Sequence, residues 1–156
     1  MRACYVEGLA SNDQIPIEDY ICLALYRASR AVTGLYRALL GGLGLTYPQY
    51  LVMRLLWQRR TLAVGEIGDA LGLDYGTLSP LLKRLETARL IERRRRSDDE
   101  RSVDIALTPD GRALEARSLD IPTKLSCALG LDDDEVLALR HALTQLTESV
   151  ETQAAG

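Results

Sequence analysis

A single histidine, His141, and three widely separated cysteines, Cys4, Cys22 and Cys127, are all that this 156-residue chain offers as soft metal ligands. No two cysteines form a C-x-x-C pair, which argues against a structural zinc site on both ligand count and spacing. No apolar run approaches the ~20 residues of a membrane-spanning helix. The opening MRACYVEGLASND carries acids and polar residues where a secretory leader would carry an apolar stretch. These absences predict a cytoplasmic protein with no membrane partner and no cofactor or metal, its cysteines held as reduced thiols. What is present, 47% hydrophobic and 26% charged residues, is an ordinary globular composition with length enough for one core.

The net charge of −3 at first argues against a nucleic-acid partner. Its distribution argues the other way. From Lys83 to Arg101 there are eight basic and five acidic residues, a local +3 on an otherwise acidic chain. Attraction to phosphate depends on charge within about 10 Å, not on the total. A merely solvated surface stretch would look the same on charge alone.

Hydrophobic spacing supplies the rest of the organisation. A helix is expected from Ile17 to about Leu40, closed by Gly41-Gly42, with Ile21, Leu25, Ala28, Val32, Leu35 and Leu39 at alternating intervals of four and three. That narrow seam is of the coiled-coil kind, more than one core requires. Thr46 and Gln49 have capping-box spacing at the start of a second helix, with Pro48 in its first turn, Leu51, Val52, Leu55 and Leu56 inward and Trp57 at the edge. A short helix through Glu66, Ile67, Ala70 and Leu71 follows, its start poorly capped at Ala63-Val64-Gly65. After the turn Gly72-Leu73-Asp74, a second short helix runs from about Gly76 to Arg89. Leu78, Leu81, Leu82 and Leu85 face inward, Thr77, Ser79, Lys83, Arg84 and Thr87 face outward, and Pro80 falls in the first turn. The period then changes to two. Ile91–Arg96 and Arg101–Leu107, joined through Ser97-Asp98-Asp99-Glu100, read as a β-hairpin. Thr108-Pro109 opens a further helix that Pro122 breaks or kinks. A last one begins near Asp132, capped by Glu135, with a seam of Val136, Leu139, Leu143, Leu146 and Val150. The fold class is therefore mainly α with a small β-hairpin.

Two short helices joined by a tight turn and followed by a basic hairpin have the order of a winged helix-turn-helix. Hydroxyls, a lysine and an arginine on the second helix suit the base edges of a major groove. Arginines on a hairpin, here Arg94, Arg96 and Arg101, suit the neighbouring minor groove or its phosphates. The alternative is a plain helical hairpin with a solvated β-ribbon.

The stretches LTYPQYLVMRLLW, LGLDYGTLSPLLKRLE and DDERSVDIALTPDG resemble the MarR family of winged-helix regulators. CLALYRASRAVTGLYRALL followed by LTYPQY is similar to its organic-hydroperoxide-sensing branch, the OhrR regulators. The likeness spans roughly residues 18–150. It implies one MarR-type subunit over 1–156, a homodimer joined by helices at 17–45 and 108–153, and a winged helix-turn-helix at 46–107 that binds double-stranded operator DNA as a repressor. It implies that Asp99 and Arg101 form the wing-tip signature, with Arg101 in the minor groove. Tyr75, Gly76, Thr77, Pro80 and Lys83 are implied to lie in or near the DNA-facing segment, beside Ser79 and Arg84. Ala63 departs from the capping threonine of many relatives, and Cys4 has no counterpart.

Cys22 lies on a second stripe of the first helix with Tyr26, Ser29, Thr33 and Tyr36. By itself such a cysteine reads as a small buried hydrophobe. Tyr26, one turn on, is a phenol able to donate to a thiolate, and the resemblance adds Tyr36 and Tyr47 from the partner subunit. Hydrogen bonds to the charged form favour it, while Glu18 and Asp19 oppose it if they face the sulfur. Cys127 between Leu125 and Leu129 reads as a core residue. The resemblance implies instead a resolving thiol that closes an intersubunit disulfide with Cys22 after an organic hydroperoxide has oxidised it. Two rivals stand beside this reading. One is a family member relieved by reversible binding of a small aromatic ligand, with Cys22 incidental. The other is a thiol peroxidase, disfavoured because no basic residue adjoins Cys22 in sequence to sustain turnover. The chain is expected not to be an enzyme.

Overall fold

The computed structural model describes residues 16–95 and 103–154. Seven α-helices and a three-stranded antiparallel sheet make up the described residues: α1 (Ile21–Leu40), α2 (Tyr47–Arg59), β1 (Thr61–Ala63), α3 (Val64–Leu71), α4 (Tyr75–Thr87), β2 (Ile91–Arg95), β3 (Val103–Leu107), α5 (Pro109–Ala116), α6 (Ile121–Leu129) and α7 (Asp133–Ala154). Two compact units are present, with the boundary after Ala116. α5 thus belongs with the first unit.

The helix starts follow local chemistry. Ile17–Asp19 is a separate 3-10 turn and Tyr20 is extended, so α1 begins at Ile21, four residues later than the apolar pattern suggests. Gly41 and Gly42 do not end it in the left-handed conformation; a 3-10 turn carries the chain to Gly44, whose φ of 67° makes the break. At α2, Thr46 N–H donates to Gln49 Oε1 at 2.8 Å, which is the return bond of the expected capping box. α3 starts without a side-chain cap from Ala63; Glu66 compensates by accepting the Ala63 N–H at 2.7 Å. The box at α7 is reciprocal, with Asp132 N–H to Glu135 Oε2 and Glu135 N–H to Asp132 Oδ1, each 2.9 Å.

The first unit's core forms where these helices meet the sheet. Tyr50, Val52, Met53, Leu56 and Trp57 of α2 pack there with Ile67 of α3 and the four α4 leucines. Burying a leucine stabilises by about 1.5–3 kcal/mol, so that row alone anchors α4 firmly. Trp57 is not at the edge: it is 2% exposed, and its indole N–H donates to the Gly111 carbonyl at 2.9 Å. The hairpin gains a third strand that the sequence pattern did not reveal. β3 lies between β2 and β1, with Arg93 and Leu62 both opposite Ile105.

In the second unit, Pro122 lies in the first turn of α6, where its missing N–H costs little, and the break in the chain precedes it. No residue of α7 is buried, and Leu139, Leu143, Leu146 and Val150 are all exposed.

Candidate nucleic-acid interface and thiol site

α4 is held in place from both ends. Asp74 caps it, accepting the Thr77 N–H at 2.9 Å on one oxygen and the Thr77 hydroxyl at 2.8 Å on the other. Those hydrogen bonds hold the fully exposed Asp74 carboxyl below the usual carboxylate range. Gly72, at φ 62°, makes the turn from α3, and Gly68 lets the Leu73 carbonyl approach to where a Cβ would stand only 2.9 Å away. At the other end, Arg89 sits at φ 57° and its carbonyl accepts the Thr108 hydroxyl at 2.6 Å.

Leucines on one face leave the opposite face free, and there the expected DNA-facing residues gather. Tyr75, Gly76, Thr77, Pro80, Lys83 and Arg84 are exposed, Tyr75 to 70%; Ser79 is half-buried. Lys83 and Arg84 have no ion pair among the described residues. Thr77 differs from expectation, because its hydroxyl proton is committed to the Asp74 cap and only its lone pairs remain. Pro80 lies in the second turn, inside the helix and not in its first turn, since α4 starts at Tyr75. It therefore has no N–H to give the Gly76 carbonyl.

On β2, Arg94 is exposed but ion-paired with Glu92 two residues back. Arg93 reaches Glu86 of α4 at 3.4 Å. Arg96, Asp99 and Arg101 lie outside the described residues, as does Cys4. Composition and period did not single out Gln49 as a site residue. The structure sets it and Thr46 across an open cleft of about 310 Å³ from Gly76, Thr77, Pro80 and Arg84. The capping-box spacing was its only sequence signal.

Both described thiols are exposed, Cys22 in the first turn of α1 and Cys127 on α6. Cys127 is thus no core residue of this chain. Of the α1 seam, Ile21 and Ala28 are exposed and Leu25, Val32, Leu35 and Leu39 half-buried, so α1 is poorly covered within one chain. The Tyr26 hydroxyl accepts from Arg30 Nη1 at 3.1 Å, and the guanidinium lies 5.7 Å from the ring centre. That leaves the phenol its own proton to donate. Tyr36 and Tyr47 come together elsewhere, stacked with ring centres 4.0 Å apart. Fourteen residues separate Cys22 from Tyr36 on one helix; at ~1.5 Å per residue they stand about 21 Å apart and cannot meet within one chain.

Burial, with the neighbouring Tyr47 and Tyr50 phenols adding to it, pushes the Tyr36 hydroxyl up to about 12, against the opposing effect of Arg54. Burial raises Tyr47 as well. A phenol whose folded value lies above its unfolded one contributes stability that is whole below about 10 and lost as pH climbs toward about 12. In an alkaline titration followed by phenolate absorbance, Tyr36 should therefore ionise well above an ordinary tyrosine, and Tyr36→Phe should remove one phenolate from the late part of the curve. A native protein whose tyrosines all titrate near 10 would contradict it.

The sequence pattern of the MarR family matches residues 45–103, from just before α2 to the start of β3. The organic hydroperoxide resistance transcriptional regulator of Bacillus subtilis is 43% identical over 138 residues, covering 88% of this chain and 94% of that protein. The chain belongs to the MarR family. As a member it is a DNA-binding transcriptional regulator, and its small antiparallel sheet is the wing of a winged helix-turn-helix. Among solved structures, reduced AbfR bound to DNA is 31% identical with a TM-score of 0.68, covering 83% of this chain and 90% of that one. AbfR, from Staphylococcus epidermidis, is also known in a disulfide-formed state, 30% identical with a TM-score of 0.59, covering 81% and 88%. No helix among the described residues is long and apolar enough to cross a membrane.

Proposed function

We propose that this MarR-family chain is a homodimeric repressor that leaves its operator when an organic hydroperoxide oxidises Cys22. The observation that carries the reading is an exposed thiol in the first turn of α1, beside an apolar seam that its own chain covers only in part. Similarity to a hydroperoxide-resistance regulator and to a protein with a disulfide-formed state supports it. Two copies joined through the segments 17–45 and 108–153 would cover the seams of α1 and α7. They would also bring the partner subunit's Tyr36 and Tyr47 toward Cys22, the distance along α1 ruling out the chain's own Tyr36. Phenols are protonated at neutral pH, and burial raises these two further, so both have a proton to donate to the sulfur. The amino end of α1 also favours negative charge there.

The chemistry balances in two steps. The Cys22 thiolate attacks the outer oxygen of the hydroperoxide, the O–O bond breaks, and an alcohol leaves after taking up a proton; sulfur loses two electrons and becomes sulfenic acid. The Cys127 thiol of the second subunit then attacks that sulfur, an S–S bond forms, and water leaves. A disulfide requires Cα atoms within about 7 Å, so closing it repositions helices wherever the reduced thiols start farther apart.

In the reduced dimer, Tyr75, Gly76, Thr77, Ser79, Pro80 and Lys83 face the major groove, with Arg84 at its margin. The wing, with Arg94, Arg96, Asp99 and Arg101, serves the adjacent minor groove. Reading heads of a dimer must lie one DNA turn apart, about 34 Å, so a shift in that spacing forfeits one half-site. The test is a DNA shift assay at fixed salt with reduced and hydroperoxide-treated protein. The reduced protein should hold an operator duplex selected from random DNA, and treatment should release it. Equal affinity in both states would refute the sensing step, and no selected duplex at all would refute the DNA reading.

A further inference from the structure

The cleft beside α4 presents hydrogen-bond donors and is lined by no acid among the described residues. Arg84 stands on one side, exposed and without an ion pair among the described residues. Gln49 stands on the other, and its cap fixes which end of the amide is left over. A backbone N–H can only donate, so the atom 2.8 Å from Thr46 N is the Gln49 oxygen, which also receives the Thr46 hydroxyl at 3.1 Å. What Gln49 has left is an NH₂ group with two donors. Asp74, the nearest acid in sequence to Gly76, is tied into the α4 cap.

A guanidinium and a primary amide facing one open cleft suit an anion with several acceptor oxygens. Position says which anion. A helix with its side chains is about 10–12 Å wide and the major groove about 12 Å, so a helix that enters the groove fills it. Groups standing beside that helix then meet the sugar–phosphate wall. We propose that this cleft receives one backbone phosphate of the operator, held by Arg84 and Gln49, and that these two residues set the register of α4 without reading sequence. The proposal rests on α4 being the groove helix.

Gln49→Glu separates this role from a structural one. Glutamate keeps the oxygen that accepts the Thr46 N–H and is favoured in a first turn, so the thermal midpoint should be unchanged or higher. The donors, however, become an anion facing a phosphate. Affinity should fall about tenfold on the selected operator and on a scrambled duplex of equal length alike. Arg84→Ala should lose a similar factor on both, with the slope of log K against log salt shallower by about 0.9. A duplex carrying a neutral methylphosphonate at the contacted position should bind the parent more weakly and should erase the penalty of Gln49→Glu. Parent-like binding by Gln49→Glu overturns the proposal. So does a loss confined to the operator, which would make Gln49 a base reader, and so does a penalty that no methylphosphonate position removes. If the parent itself selects no duplex, the DNA reading fails first, which is a distinguishable result.

Discussion

Gly111→Ala is expected to unfold the first unit or cost it about 4 kcal/mol or more, in the class of changes that single substitutions seldom reach. A Cβ at Gly111 would lie 1.9 Å from the Leu90 carbonyl oxygen and 2.9 Å from its carbon. Neither backbone can withdraw cheaply. Leu90 O accepts the Thr108 N–H at 3.1 Å, and Leu90 N–H donates to Leu85 O at 3.0 Å, closing the carboxyl end of α4. On the other side, Gly111 N–H donates to the Thr108 hydroxyl at 3.0 Å, and Gly111 O holds the buried Trp57 indole. Making room for one methyl group means breaking the junction that ties α4, β2, α5 and α2 together. Domains of this size are stable by about 5–15 kcal/mol, so the loss is a large share of the whole. Denaturant unfolding followed by the fluorescence of Trp57, the only tryptophan, measures it. Gly65→Ala is the control: nothing lies within 4 Å of its added Cβ, and it should be neutral or stabilise by up to about 1 kcal/mol. A Gly111→Ala protein within about 1 kcal/mol of the parent would show that the junction yields more easily than these bonds allow.

The second large effect concerns the thiol. Cys22→Ser should abolish the response to organic hydroperoxide while leaving reduced-state DNA affinity as it was. In the parent, loss of two or three base contacts at about 1–3 kcal/mol each amounts to a release of about 30-fold or more. In Cys22→Ser the treated and untreated proteins should bind alike, because a serine hydroxyl does not take up peroxide oxygen. Cys127→Ser should still lose its Cys22 thiol to peroxide but give no covalent dimer on a non-reducing gel. The measurement belongs in a Cys4→Ser background, since a third thiol can pair on its own. Full release by hydroperoxide from Cys22→Ser would sink the sensor assignment. Release of that variant by a phenol or aromatic acid alone would favour a reversible ligand in its place. A covalent dimer from Cys127→Ser would remove Cys127 and leave Cys22 standing.

Much of the molecule could be read without coordinates, for reasons particular to each element. The α4 leucines at 78, 81, 82 and 85 are all buried, because a helix packed on one side repeats its apolar face every three to four residues. The hairpin was legible from its period of two. β1 was not: three residues, Thr61–Ala63, are too few to display a period, and the strand exists only because β3 offers a free edge. The start of α1 was misplaced because Ile17 continues the apolar spacing while the backbone breaks at Tyr20. The place of Pro80 was missed with the exact start of α4, which Asp74 decides by capping Thr77. Tyr26 could be seen to stand one turn from Cys22, but not that Arg30 holds its oxygen.

Local chemistry along the chain thus indicated most of the helices, the caps at Thr46 and Asp132 and the basic segment, since each depends on residues within a turn or two of one another, and motifs spread over residues 18–150 indicated the family. Tertiary structure decided what depends on distant residues meeting. It joined Trp57 to Gly111, paired Tyr36 with Tyr47 far from Cys22 on the same chain, and set Gln49 across from Arg84. Spacing along a sequence encodes which face a residue occupies, whereas the approach of two faces is set by how the whole core packs.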